Sequence, residues 1–165
     1  MSQYTICTEL VKHCGKPKNV KYLTNVLFVF TQDNSHKICV DKGGNLLKEY
    51  KNIALQSESL RIWIDLLTSK KVPGIEFIKI DNNHKTTVDL LLSVCINSYD
   101  KTLVVNTKQD YMTLKTIINK HGIELIDKDI IMQNFKGVKY NITANKGGQV
   151  SLGDNSPNLI NEKDE

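Results

Sequence analysis

The sequence predicts an α/β fold with a mainly parallel central sheet, and three observations carry that expectation. Short β-type runs alternate with stretches of helical periodicity along most of the chain. The run Leu103-Val104-Val105 is apolar without alternation, as a parallel strand covered on both faces would be. Polar clusters rich in Gly, Asn, Asp and Ser separate the runs at the places where turns are needed.

The elements follow in chain order. Residues 3–7, QYTIC, form the first expected strand, and Thr8 is an N-cap candidate for a short helix that Gly15 and Pro17 end. In VKYLTNVLFVFTQ, Val20, Leu23, Leu27 and Phe30 have helical spacing, while Val26–Phe30 also reads as a strand. HKICVD, residues 36–41, alternates as a strand, and KGGN is a turn with two residues free to adopt positive φ. LLKEYKNIA and SESLRIWIDLLTSK read as helices. In the second, Ser57 is the cap and Leu60, Trp63, Ile64 and Leu67 form the apolar face.

IEFIKI, residues 75–80, is a strand, and Thr86 or Thr87 caps the helix VDLLLSVCINS. KTLVVNT, residues 101–107, is the next strand. The following helix, DYMTLKTIINKHG, turns Tyr111, Leu114, Ile117 and Ile118 inward and ends at Gly122. IELID is a last short strand of the body. Residues 1–135 therefore read as one α/β domain and residues 136–165 as a C-terminal extension. In the extension, Tyr140–Ala144 and Gln149–Leu152 flank NKGG like a β-hairpin, and an acidic end follows that is expected to be disordered.

Composition narrows the class. The 165 residues carry a net charge of +4, with 40% hydrophobic and 24% charged residues, which suits a globular domain. Residues 1–50 hold seven Lys against four acids, whereas residues 141–165 hold two against four. All basic charge but Arg61 is lysine, so contact with nucleic acid would be mainly with phosphate. The spacing of Cys7, Cys14, Cys39 and Cys95 fits no metal-binding pattern and suits a reducing, cytoplasmic setting. His13, His36, His84 and His121 lack the pairing of metal ligands. No signal peptide is read at the amino terminus, and no apolar run reaches the ~20 residues of a membrane helix.

Several acids fall where ligands collect in such folds, beyond the carboxyl ends of parallel strands. Glu9 follows the first strand and Asp41 closes another. Glu49 lies on the helix after it, Asp89 in the first turn of a helix, and Asp110 just beyond the strand 101–107. Clustered carboxylates repel one another unless a cation or a proton compensates them. Mg²⁺ or Mn²⁺ bound by such groups can activate water and stabilise a departing phosphate oxygen.

The order YTICTELV, ICVDKGGNLLKEY, LRIWIDLL and TTVDLLLSVCINSYDKTLVVNTKQDY, over about residues 3–131, resembles a PIN-like domain. That resemblance implies a Rossmann-like three-layer α/β/α fold and a metal-dependent endoribonuclease acting on single-stranded RNA, of the kind found among bacterial toxins and defence effectors. It implies Mg²⁺ or Mn²⁺ held by Glu49, Asp89 and Asp110, with Glu9 as a further catalytic carboxylate. It gives Lys12, Lys16 or Lys108 to phosphate.

The chain departs from the family pattern at two places. Cys7 stands where the first aspartate would be, and Lys108 where a metal-binding Asp would be. An ammonium at that position would occupy the metal's place. The second expectation is therefore a degenerate PIN-like module that binds or regulates, docking a protein partner through its C-terminal extension. A nucleotide-binding Rossmann-like domain is a third reading, without a glycine-rich fingerprint to support it. RNA, a protein partner and a second copy of the chain all remain open as partners. A membrane does not.

Overall fold

The computed structural model describes residues 2–19, 26–31, 35–69, 74–81, 83–134, 141–143 and 149–151. Five parallel strands form the central sheet: β1 (Ser2–Ile6), β2 (His36–Asp41), β3 (Ile75–Ile78), β4 (Thr102–Val105) and β5 (Glu124–Asp127). Their order is β3-β2-β1-β4-β5. Tyr4 of β1 is registered against Ile38 on one side and Thr102 on the other. The chain steps outward from β1 to β3, then crosses back to β4 and on to β5. With right-handed crossovers, these two directions put helices on opposite faces, giving three layers. The expected α/β architecture is what the chain adopts.

The helices are α1 (Thr8–Cys14), α2 (Asn45–Ala54), α3 (Glu58–Leu67), α4 (Thr87–Asn97), α5 (Lys115–His121) and α6 (Lys128–Asn134). Every residue of β4 is buried, as its unbroken apolar run requires. Trp63 and Tyr50 are fully enclosed and meet edge to face, with ring centroids 6.0 Å apart. Each also satisfies its polar atom: Trp63 Nε1 donates to Leu27 O at 3.0 Å, and the Tyr50 hydroxyl donates to Ile6 O. Leu60, Ile64 and Leu67 complete the apolar face read for α3, and Ser57 Oγ caps it by accepting from Leu60 N.

Several local expectations change. Cys7, not Thr8, caps α1: its sulfur accepts from Leu10 N at 3.4 Å, while Thr8 is the first residue of the helix. Of the two turn glycines, Gly44 alone takes the left-handed conformation, at φ 83°, just ahead of α2. Thr86 is the cap of α4. Residues Lys108–Leu114 wind as a 3-10 helix before α5 begins, so the predicted long helix is two pieces. That change of winding leaves Ile117 40% exposed, while Tyr111 and Ile118 stay buried. Gly122 closes α5 at φ 67°, as expected of a left-handed cap.

Residues 26 and 27 turn in a wide π-type helix and Phe28–Thr31 in a 3-10 helix, in place of a strand. The helical spacing read from Val20 and Leu23 lies outside the described residues. A helix not foreseen, α6, follows β5 directly, with Asp127 Oδ1 accepting from Asp129 N and Ile130 N. In the extension, Asn141–Thr143 and Gln149–Ser151 pair antiparallel, matching the two expected β pieces. The boundary near residue 135 and the acidic end lie outside the described residues. No helix among the described residues is long and apolar enough to cross a membrane.

Candidate functional site

The predicted site acids do not form one cluster. They divide between two places along the carboxyl edge of the sheet.

The first place is the point between β1 and β4 where the chain changes direction, which is where ligands of open α/β sheets commonly sit. Glu9 and Asp110 are both exposed there. Glu9 is held from two sides: the Tyr111 hydroxyl donates to Oε1 at 3.1 Å and the Thr8 hydroxyl to Oε2 at 3.0 Å. Burial raises the Tyr111 hydroxyl well above the ordinary phenol range, and Cys7, Glu9 and Asp110 add to the rise. Tyr111 therefore remains a donor to Glu9.

Burial likewise pushes the Cys7 thiol up to about 12. The Leu10 amide opposes that shift, and the Glu9 and Asp110 carboxylates reinforce it. A protonated, enclosed thiol acting as a helix cap is a poor nucleophile.

The second place lies between α2 and the start of α4. Glu49 is half-buried and lines a cavity of about 400 Å³ with Asn45, Lys48, Asn52, His84 and Lys85, closed by Thr86, Thr87 and Leu90. Asp89 is not among the lining residues. Its N–H donates to Thr86 Oγ1 at 3.1 Å, and its Oδ2 accepts from Lys85 N at 3.4 Å. That carboxylate steadies the first turn of α4, much as a capping box does.

Asp41 is 1% exposed, and both its oxygens are engaged. Oδ1 accepts from Leu46 N at 2.7 Å, and Oδ2 accepts from Asn45 N at 3.0 Å and Asn45 Nδ2 at 3.1 Å. It fixes the turn that launches α2.

Lys108, just beyond β4, lines a different cavity of about 400 Å³ with Tyr4, Asp100, Thr102, Glu124 and Ile130. Lys12 and Lys16 line a third cavity, of about 330 Å³, beside Gln56 and Leu60.

The divalent ion that the resemblance implies needs carboxylates brought together. Among the described residues, no three His, Cys, Asp or Glu side chains are grouped so that they could hold a metal ion. Glu9 and Asp110 both lie near Tyr111, Glu49 lines the other cavity, and the Asp89 carboxylate binds Lys85 N just ahead of its own helix. The three-carboxylate set of Glu49, Asp89 and Asp110 that the resemblance implies is thus not assembled among the described residues.

Sequence reasoning did not single out Lys48 and Lys85, and it weighed His84 only as a metal ligand. A signal for part of this was available: Asn45, Lys48, Glu49 and Asn52 recur at helical spacing and make one polar stripe.

No family model matches the chain, no curated protein matches it, and no solved structure matches it.

Proposed function

We propose that this chain is a PIN-like module that keeps the α/β frame without the metal-dependent chemistry, and that it works by docking a protein partner. One observation supports this above all others: side chains at the expected acidic positions are engaged in holding the fold. Cys7 caps α1 from a fully buried position, and the Asp89 carboxylate is bound at the start of its own helix. The antiparallel pair Asn141–Thr143 and Gln149–Ser151 supplies strand edges of the kind that add to a partner's sheet.

A second reading is a metal-dependent endoribonuclease acting on single-stranded RNA, in a bacterial toxin or defence setting. What favours it is the pair of exposed carboxylates, Glu9 and Asp110, beside Tyr111.

Titration of the full chain with Mn²⁺ in a calorimeter, alongside incubation with single-stranded RNA, separates the two. The docking reading expects neither metal heat nor cleavage at any Mn²⁺ concentration. Mn²⁺-stimulated cleavage that disappears in both Glu9→Gln and Asp110→Asn would establish the nuclease instead.

A further inference from the structure

The cavity between α2 and α4 has a chemistry that the docking reading does not use. Its lining combines two lysines, Lys48 on α2 and Lys85 ahead of α4, with several uncharged hydrogen-bonding groups. Lys48 and Lys85 are exposed, and neither ammonium has a hydrogen bond or ion pair among the described residues. His84 brings Nδ1, a nitrogen shut off from solvent and without a hydrogen-bond partner.

One wall is the polar stripe of α2, to which Lys48 belongs. Asn45 Nδ2 is tied to Asp41, which leaves Oδ1 to accept. The Glu49 carboxylate and the Asn52 amide follow further along the same stripe. Amides and a carboxylate side by side are what sugar hydroxyls bind, because each hydroxyl both donates and accepts. A carboxylate in the same cavity excludes a bare polyanion and favours a ligand that puts its anionic group at one end only. A volume of about 400 Å³ holds a small molecule and lies within the usual range of ligand pockets.

We propose that this cavity binds a phosphate monoester of a small polyhydroxy compound. The phosphate sits between Lys48 and Lys85 with His84 beside it, and the hydroxyls lie against Asn45, Glu49 and Asn52. A sugar phosphate and the ribose 5′-phosphate of a mononucleotide share that chemistry. The site stands on its own lining and does not depend on how the Glu9–Asp110 edge is read.

The test is calorimetric titration of the full chain with ribose 5-phosphate, uridine 5′-monophosphate, ribose and inorganic phosphate. Ribose 5-phosphate is expected to bind at least about tenfold more tightly than ribose or inorganic phosphate. The double variant Lys48→Ala/Lys85→Ala, altered only at exposed positions, is expected to lose about tenfold or more, with unchanged thermal unfolding. Glu49→Gln is expected to weaken ribose 5-phosphate about threefold while leaving inorganic phosphate alone.

Tighter binding of the nucleotide than of the sugar phosphate identifies the nucleotide as the source, and equal binding identifies the sugar phosphate. Absence of saturable heat from both, or heat unchanged in the double lysine variant, overturns the proposal. So does inorganic phosphate binding as well as ribose 5-phosphate, or a single-stranded RNA as the sole species bound.

Discussion

The ends of β1 and β2 and the cleft between α2 and α4 lie along the same edge of the sheet, yet they treat polar atoms in opposite ways. At the strand ends, polar groups close on one another. Asp41 holds the start of α2, Cys7 holds the start of α1, and Tyr111 and Thr8 hold Glu9. In the cleft, Lys48, Glu49 and Lys85 have no hydrogen-bond or ion-pair partner through their charged groups among the described residues, and His84 leaves a nitrogen unpaired. Where side chains satisfy each other, removing one should cost stability. Where they face an open cavity, removing one should cost binding and little else.

The largest effect expected from that contrast is on the enclosed thiols. Cys7, Cys14, Cys39 and Cys95 are all buried and free, and burial pushes each up to about 12 from an ordinary 9.0. The folded chain thus retains thiol protons that the unfolded chain releases. Stability from this source is fully present below pH 9.0 and is lost as pH rises toward about 12. Urea unfolding across that window should show a steady fall in midpoint. At neutral pH a thiol reagent should label none of the four until denaturant is added.

Asp41→Ala comes next, with an expected loss of about 2–4 kcal/mol, because it leaves the buried Leu46 N–H without its acceptor. Chemical denaturation measures it, and a loss below ~0.5 kcal/mol would break the contrast at its strongest point. Tyr111→Phe should cost about 1 kcal/mol by removing one hydrogen bond to Glu9. Glu49→Ala should shift stability by no more than about 0.5 kcal/mol, as an unpartnered surface group does. A larger loss there would move Glu49 into the structural class.

Much of the frame was legible before any coordinates. Alternation, caps and glycines marked β2, α3 and the end of α5, because those signals are local and each has one physical meaning. The helix α6 was missed because Asp127 serves twice, ending β5 and capping the helix with no loop between them. The candidate site was only partly legible. Five acids near strand ends look alike in sequence, but a carboxylate three or four residues from a free backbone N–H can turn to its own chain. Asp41 and Asp89 do so, while Glu49 does not. Which choice each makes depends on the facing element, and neither periodicity nor spacing carries that information.

The strand order has a consequence for how the chain is assembled. β1 lies at the middle of the sheet, and its flank formed by Tyr4, Thr5 and Ile6 waits for Thr102, Leu103 and Val104, nearly a whole domain later in the chain. During synthesis the segment made early thus holds an unpaired edge until most of its neighbours exist. Contacts of such long sequence separation slow folding and leave backbone available to wrong pairings meanwhile. A nascent chain halted before β4 should accordingly be digested by protease as readily as unfolded polypeptide, and become resistant only after β4 has emerged.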